Sequence, residues 1–183
     1  MSGIRHELNV DDKQLRFAAT KLLQSGGNLR PAFKSIGEAM LRSTDERFRN
    51  QVDPQGQPWK PLAASTLKRK RGPKILTESH QLRNSMTYKA DDEKLQVGTN
   101  AVHAAIHQLG GTIRQRSRRQ VLAFNKKGRF LGHKAASKRK TSVNVRIATI
   151  GPRLVRIPAR PFLGVSAKDK DKVIAILKRH LER

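Results

Sequence analysis

The sequence predicts an α+β protein with a compact helical body, a small antiparallel sheet and a long basic arm that resembles a β-hairpin. Three observations favour this class: amphipathic helical stripes, short alternating segments beside turn residues, and a long stretch without acidic residues. The chain has 183 residues, enough for one domain with an extension. We assign residues 1–111 to the body, residues 112–157 to a basic extended arm or insertion, and residues 158–183 to a C-terminal segment and helix that complete the body.

Two helices are predicted at the start of the chain. Asp11 and Gln14 have the spacing of a capping box before a helix over residues 15–22, which Gly26-Gly27 would end. The second helix begins near Asn28, carries Pro31 in its first turn and extends to about residue 51. We expect its apolar stripe to pack in the core, and that stripe comprises Phe33, Ile36, Met40, Leu41, Thr44 and Phe48.

Turn residues organise the middle of the chain. Asp53-Pro54-Gln55-Gly56 matches a type I turn, and the only tryptophan, Trp59, follows in a proline-rich loop. Trp59 would pin this loop to the core or, alternatively, anchor a subunit interface. A short turn or helix is predicted around residues 77–83, and a β-hairpin over residues 85–90 and 94–98. Asn100 would cap a short helix that ends at Gly110-Gly111 and turns Val102, Ile106 and Leu109 inward.

The arm is defined by its charge. Residues 113–160 hold 15 basic residues and no acidic one, out of a net charge of +25. Such a segment cannot neutralise itself and favours a polyanion or an acidic protein surface. Alternation and turn residues predict two local hairpins, of residues 121–124 with 129–131 and of residues 143–148 with 154–157. A linker over residues 132–142 separates them.

Ten basic residues of the arm are predicted to contact DNA or an acidic partner, without reading a base sequence. They form an extended cluster, a hairpin-tip cluster and a linker cluster: Arg114, Arg116, Arg118 and Arg119; Lys126, Lys127 and Arg129; Lys138, Arg139 and Lys140. Only Phe124 and Phe130 are aromatic there, which disfavours a base-stacking platform. The alternative is a solvated surface without a specific partner.

The C-terminal segment predicts an extended stretch followed by a helix. Pro158 and Pro161 keep their preceding residues extended, which would place Arg160 and Phe162 at a subunit interface, with core packing of Phe162 as the alternative. Ser166 and Asp169 have the spacing of a cap. The helix that follows carries its apolar face on Val173, Ile174, Leu177 and Leu181.

No combination of residues indicates an enzyme. His103 and His107 lie four residues apart, as in some zinc sites, but the Glu of an HExxH motif and a third ligand are missing. We expect a structural role for both. Cysteine is absent, which excludes thiol chemistry, and there is no GxSxG motif or phosphate-binding glycine loop. We therefore expect no cofactor, no metal and no membrane segment, in a soluble chain made in the cytoplasm.

Several segments together resemble a known family. They are the helix end Glu46-Arg47-Phe48, DPQGQPWKPLAASTLKRK (53–70), ILTESHQLRNSM (75–86), VGTNAVHAAIHQLGG (97–111) and IPARPFLGVSAKDKDKVIAIL (157–177). In this order and spacing they are similar to the virion morphogenesis or tail completion proteins of Mu-like and related tailed phages. The basic stretch 112–157 lies between these segments and resembles a variable insertion.

This resemblance implies a structural subunit of the virion, assembled in the host cytoplasm. Members of the family are expected to form a ring, hexameric by resemblance, that caps the head-proximal end of the tail tube and enables head–tail joining. The implied partners are the tail-tube protein, connector or neck proteins and the phage DNA that passes through the ring. The alternative from the residues alone is a nucleic-acid-binding protein without sequence specificity that acts through residues 113–160.

Overall fold

The computed structural model of the chain describes residues 4–7, 20, 28–68, 70, 72–92, 94–124, 127 and 144–182, and it confirms the α+β class. The helices are α1 (Leu29–Asn50), α2 (Ala64–Leu67), α3 (Gln81–Asn84), α4 (Ala104–Leu109) and α5 (Ala167–Leu181). The strands are β1 (Ile4–Glu7), β2 (Met86–Ala90), β3 (Leu95–Thr99), β4 (Gly111–Gln115), β5 (Arg118–Phe124), β6 (Asn144–Ile150) and β7 (Arg153–Ile157). The helix predicted over residues 15–22 lies outside the described residues, apart from residue 20.

Helix α1 forms where its cap and stripe predict it. The Asn28 side chain accepts a hydrogen bond from the N–H of Arg30 at 2.8 Å, and the helix ends where Gln51 adopts a left-handed conformation. The predicted stripe is confirmed, because Phe33 and Leu41 pack partly buried against a core to which α1 contributes Leu29, Ala32, Ile36, Met40 and Phe48.

A three-stranded antiparallel sheet, in the order β1-β3-β2, packs against α1. Strands β2 and β3 are the predicted hairpin, and the N–H of Asp91 donates to the carbonyl of Lys94 at 2.9 Å across its turn. Strand β1, which no sequence pattern predicted, pairs with the other edge of β3. Helix and sheet approach each other closely at Gly37, where a Cβ atom would lie 2.5 Å from Cδ2 of Tyr88.

The predicted turn after α1 is present. The N–H of Gly56 donates to the carbonyl of Asp53 at 3.0 Å, and Gly56 has a φ of 82°, a value that glycine adopts without strain. The Asp53 carboxylate also accepts from the N–H groups of Gln55 and Gln57. The turn brings Trp59 back to the end of α1, where its N–H donates to the carbonyl of Gln51 at 2.8 Å.

The helix after β3 differs from its prediction. It begins at Ala104 with His103 rather than Asn100 at its N-cap, and its buried residues are Ala104 and Gln108, whereas Ile106 of the predicted apolar set is half-buried. Val102 and Leu109 are 75% and 74% exposed. The reason is a long-range contact, because the Gln108 amide hydrogen-bonds the backbone at residues 162–163 and so turns its own side of the helix inward.

The strands of residues 112–157 also pair differently from the prediction. Strand β5 pairs antiparallel with β6, from Arg118 opposite Ile150 to Phe124 opposite Asn144, and β4 pairs with β7. The predicted hairpin of residues 143–148 with 154–157 is therefore wrong. Gly151-Pro152 lies between β6 and β7, and each of these strands pairs with an earlier strand of the chain instead. Residues 129–131, the predicted partners of 121–124, lie outside the described residues.

Helix α5 confirms its predicted cap. The Ser166 hydroxyl accepts from the N–H of Asp169 at 3.1 Å, and the Asp169 carboxylate accepts from the N–H of Ser166 at 2.9 Å. Val173 and Leu177 are buried and Ile174 is partly buried. The helix packs against α1, so both ends of the body share one core.

The chain divides into two compact units. The first, here called the body, comprises residues 1–111 and 158–183. The second, here called the basic unit, comprises residues 112–157. Within the described ranges, no helix is both long and apolar enough to cross a membrane.

Candidate functional site: the basic unit and the strap of the body

Five of the ten predicted contact residues are described, and all five are exposed: Arg114, Arg116, Arg118, Arg119 and Lys127. Lys126, Arg129, Lys138, Arg139 and Lys140 lie outside the described residues. Among the residues with described positions, none of the ion pairs involves any of the five. Their charges therefore face solvent, as contact with an anionic partner requires.

The strand register divides these charges between two faces. Arg118 and Arg119 are consecutive residues of β5, so their side chains project to opposite sides of the β5–β6 pair. Arg146 lies opposite Leu122, on the side of Arg118. The arginines of this sheet are therefore divided between its two faces.

The three predicted interface residues, Trp59, Arg160 and Phe162, lie together in the body. Arg160 and Phe162 belong to residues 158–165, which we call the strap, and Trp59 contacts this strap. The indole N–H of Trp59 donates to the carbonyl of Pro161 at 2.8 Å. The ring centroid of Phe48 lies 5.5 Å from that of Trp59 and 5.3 Å from that of Phe162. Arg160 donates from Nε and Nη2 to the carbonyls of residues 60 and 61, at 2.9 and 3.1 Å.

Trp59, Arg160 and Phe162 are each at most 5% exposed. Core packing, which the sequence favoured for Trp59 and offered beside an interface role for Phe162, is thus the position that both residues occupy within the single chain. A contact of these residues with a neighbouring subunit stays a prediction. Their direct effect is to fix the strap to the loop that follows α1.

The polar side chains of Gln108 and Arg47 also bind the strap backbone. Gln108 donates from Nε2 to the carbonyl of Leu163 at 2.8 Å and accepts from the N–H groups of Phe162 and Leu163 at 3.0 Å. Arg47 donates from Nη1 to the carbonyls of Phe162 and Gly164, at 3.1 and 2.9 Å. Because the strap is neither helix nor strand, these side chains supply the partners that its buried backbone groups need.

A buried ion pair joins α1 to α5. Nη2 of Arg47 donates to the Asp169 carboxylate, and the two side chains are 5% and 2% exposed. Burial alone would raise the pKa of Asp169, but hydrogen bonds from Ser43 and Ser166 and the charge of Arg47 outweigh it and hold the pKa below its usual value. Asp169 is therefore ionised at neutral pH, when it caps α5 and neutralises Arg47.

His103 and His107 lie together in the body. Their ring centroids are 5.9 Å apart, and they line a cavity of about 260 Å³ with Glu78 and Arg160. Burial, followed by the charges of His103 and Arg160, lowers the pKa of His107, so its ring is neutral at neutral pH. The described residues include no group of three or more His, Asp or Glu side chains placed to hold a metal ion.

The roles of Arg47 and Gln108 in holding the strap were not predicted from the sequence. Arg47 did carry a signal, because it follows Thr44 by three residues and so falls within the apolar stripe of α1. A charged residue in such a stripe needs a buried partner, and Asp169 is the first acidic residue after Glu93. Gln108 carried no comparable signal, because its partners are backbone groups 54 and 55 residues away.

The segments that carry the family resemblance meet at this site. The end of α1, the Trp59 loop, α4 and the strap all contribute to it. The phage virion morphogenesis family matches residues 10–182, which include both the body and the basic unit. No curated protein and no solved structure matches the chain significantly. The chain therefore belongs to the phage virion morphogenesis family.

Proposed function

We propose that the chain is a structural tail completion subunit. It forms a ring at the head-proximal end of the tail tube, caps the tail and enables joining to the head. The observation that carries the proposal is the family match over residues 10–182, which supports a role in building the virion. The proposed role is structural rather than catalytic, and it is supported by the polar groups of Arg47, Gln108 and Arg160, which bind the backbone of their own chain.

Exposed apolar residues support the assembly into a ring. A ring closes through heterologous contacts, for which each subunit needs two different surfaces. The body exposes Val102 and Leu109, just before α4 and at its end, and these residues can provide one of the two surfaces. The number of subunits, hexameric by resemblance, and the neighbours, the tail-tube protein and the neck or connector proteins, belong to the same proposal.

Quantitative mass spectrometry of purified phage particles tests the ring. We expect a small, fixed number of copies of this chain per particle, far below the number of tail-tube subunits. A copy number that rises in proportion to the tail-tube protein would contradict a single axial position. Absence from finished particles would contradict a permanent virion component.

A second candidate function is nucleic-acid binding without sequence specificity, which the 15 basic and zero acidic residues of 113–160 favour. It predicts binding of duplex DNA by the purified chain at physiological salt, at roughly nanomolar concentrations. Each phosphate neutralised contributes about 0.9 to the slope of log K against log salt, so Arg116→Gln with Arg119→Gln should make the slope shallower. Binding that disappears at moderate salt would leave only a general charge attraction.

A further inference from the structure

The β5–β6 pair carries an exposed aliphatic face. Val121 lies directly opposite Ile147 in the register, and Val145 lies on the same face, opposite Ala123. Val121, Val145 and Ile147 are 44%, 53% and 74% exposed. We call these three residues the aliphatic face.

Physical chemistry makes such a surface unusual on a sheet of only two strands. A two-stranded sheet is marginally stable in water unless another element or a partner covers one of its faces. Adjacent aliphatic side chains left in water on a highly charged segment are typical of a surface that is covered on binding. Since all three are β-branched and cross-strand neighbours, they already have the rotamers and spacing of a packed sheet.

Charge argues against a second copy of this chain as the partner. Residues 112–157 hold 14 basic residues and no acidic one, and the rest of the chain holds 25 basic and 14 acidic residues. Both units are therefore positive, and the basic unit of one copy would be repelled by either unit of another.

The aliphatic face also argues against nucleic acid at this position. Phosphates pair with arginine side chains, but they offer no apolar surface for valine and isoleucine to pack against. Binding of nucleic acid at this face would therefore gain no free energy from covering these side chains. On this face Arg119 is the only charged residue of β5 and β6, whereas Arg118 and Arg146 project to the other side. The face therefore suits an apolar surface with a limited number of carboxylates at its rim.

We propose that the aliphatic face of the β5–β6 pair docks onto an acidic protein of the assembling virion. The apolar centre of that protein covers Val121, Val145 and Ile147, and carboxylates at its rim pair with Arg119 and neighbouring exposed arginines. This inference rests on the proposed function, because it takes the partner from the assembling virion. The proposal also favours an acidic protein over DNA as the partner at this face of the basic unit.

Paired variants of the full chain separate apolar docking from charge. Val121→Thr with Ile147→Thr keeps β-branched residues in both strands but removes the apolar surface, so the unfolding midpoint should stay unchanged. Arg118→Gln with Arg146→Gln is the matched control on the opposite face. Supplied to a phage that lacks this gene, the threonine pair should reduce joined, infectious particles about tenfold or more, since weakening the contact by ~1.4 kcal/mol lowers affinity tenfold.

DNA binding gives the opposite pattern in the same variants. The threonine pair should bind duplex DNA with an unchanged salt slope, whereas the glutamine pair should show a shallower slope and a smaller loss of particles. A threonine pair that assembles particles normally would overturn the docking surface. So would a threonine pair that loses DNA binding and particles together.

Crosslinking identifies the partner. A photoreactive benzophenone side chain placed at Ile147 of the full chain, in cells that assemble the phage, should crosslink to an acidic phage protein other than this chain. A crosslink to DNA or to a second copy of this chain would overturn the inference. The absence of any crosslink in cells that still form particles would overturn it as well. The copy-number measurement tests the ring separately: a correct copy number with no such crosslink removes only the docking surface, and absence from particles removes the proposed function.

Discussion

Arg47 shows that one residue can order several distant parts of this chain. Its guanidinium donates to two strap carbonyls, to the Ser43 hydroxyl and to the Asp169 carboxylate. A guanidinium supplies five N–H groups in a fixed plane, which a lysine ammonium in the same position could not do. The burial of this charge is tolerated only because each neighbour supplies an acceptor.

Removing Arg47 should therefore destabilise the body strongly. Arg47→Met keeps most of the side-chain volume but leaves the Asp169 carboxylate buried without its counter-charge, which costs about 3–5 kcal/mol of unfolding free energy. Urea unfolding followed by circular dichroism measures the loss. Arg42→Met, at a side chain 77% exposed, is the control and should change stability by less than about 0.5 kcal/mol.

A second variant tests the cause of that loss. Adding Asp169→Asn to Arg47→Met removes the uncompensated charge while keeping a side chain that can cap α5, so part of the stability should return. Equal stability of the single and double variants would show that packing, rather than charge, dominates at this position.

His107 should make the stability of the body depend on pH. Its pKa is lowered in the folded chain by burial, then by the charges of His103 and Arg160, so the unfolded chain binds the proton more readily. The contribution of His107 to the free energy of unfolding is therefore constant above the ordinary histidine pKa of about 6.5. As the pH falls below that value, towards the lower pKa of His107 in the folded chain, the body becomes less stable.

Urea midpoints measured on either side of this window test the sign. His107→Gln should flatten the fall of stability with decreasing pH. His103→Gln should flatten it only in part, because burial of His107 remains. A fall of unchanged size in His107→Gln would assign the pH dependence to other groups.

Elements were predictable where their signals are local. The cap at Asn28, the turn at residues 53–56, the β2–β3 hairpin and the Ser166–Asp169 box each involve residues within a few positions of one another. Strand pairing in the basic unit was not predictable in the same way. The two predicted local hairpins and the observed pairs β5–β6 and β4–β7 require nearly the same alternation of apolar and polar residues. The alternation therefore does not show which strands pair.

The contact between α1 and the sheet gives a prediction at the level of elements. Gly37→Ala should destabilise the body by roughly 1–3 kcal/mol, although alanine is the better helix former, because its Cβ would lie within 3 Å of the Tyr88 ring. Thermal unfolding measures this effect. Gly72→Ala is the control, since no atom lies within 4 Å of its added Cβ, and a similar loss there would contradict the steric explanation.

The two units differ in how far the sequence explains them. The charge of the basic unit could be read directly, but its division between two faces depends on the pairing of β5 with β6. In the body, Trp59 and Phe162 could be expected in the core, but the partners of Arg47 and Arg160 lie about 100 residues away along the chain. Contacts at such separations leave no periodic pattern, so the sequence could indicate that Arg47 needs a buried partner but not which backbone groups it binds.

Deletion of the basic unit tests whether the body folds without it and whether the basic unit is needed to form joined particles. Strands β4 and β7 pair, and Gln115 at the end of β4 accepts a hydrogen bond from Arg153 at the start of β7. The opposite ends of these strands therefore lie side by side, so a short glycine-serine link can replace residues 113–156. The core of the body contains no residue of that segment, and it should unfold cooperatively with a midpoint close to that of the full chain.

This truncated chain should nevertheless fail to support joined, infectious particles, because it lacks the aliphatic face and the exposed arginines. Complementation of a phage without the gene, with the full chain as the control, measures the particles, and circular dichroism of the purified truncation verifies its fold. Normal particle yields from a folded truncation would show that the body alone completes the tail. An unfolded truncation would instead show that the basic unit is needed to stabilise the body, which contradicts the independence inferred from its core.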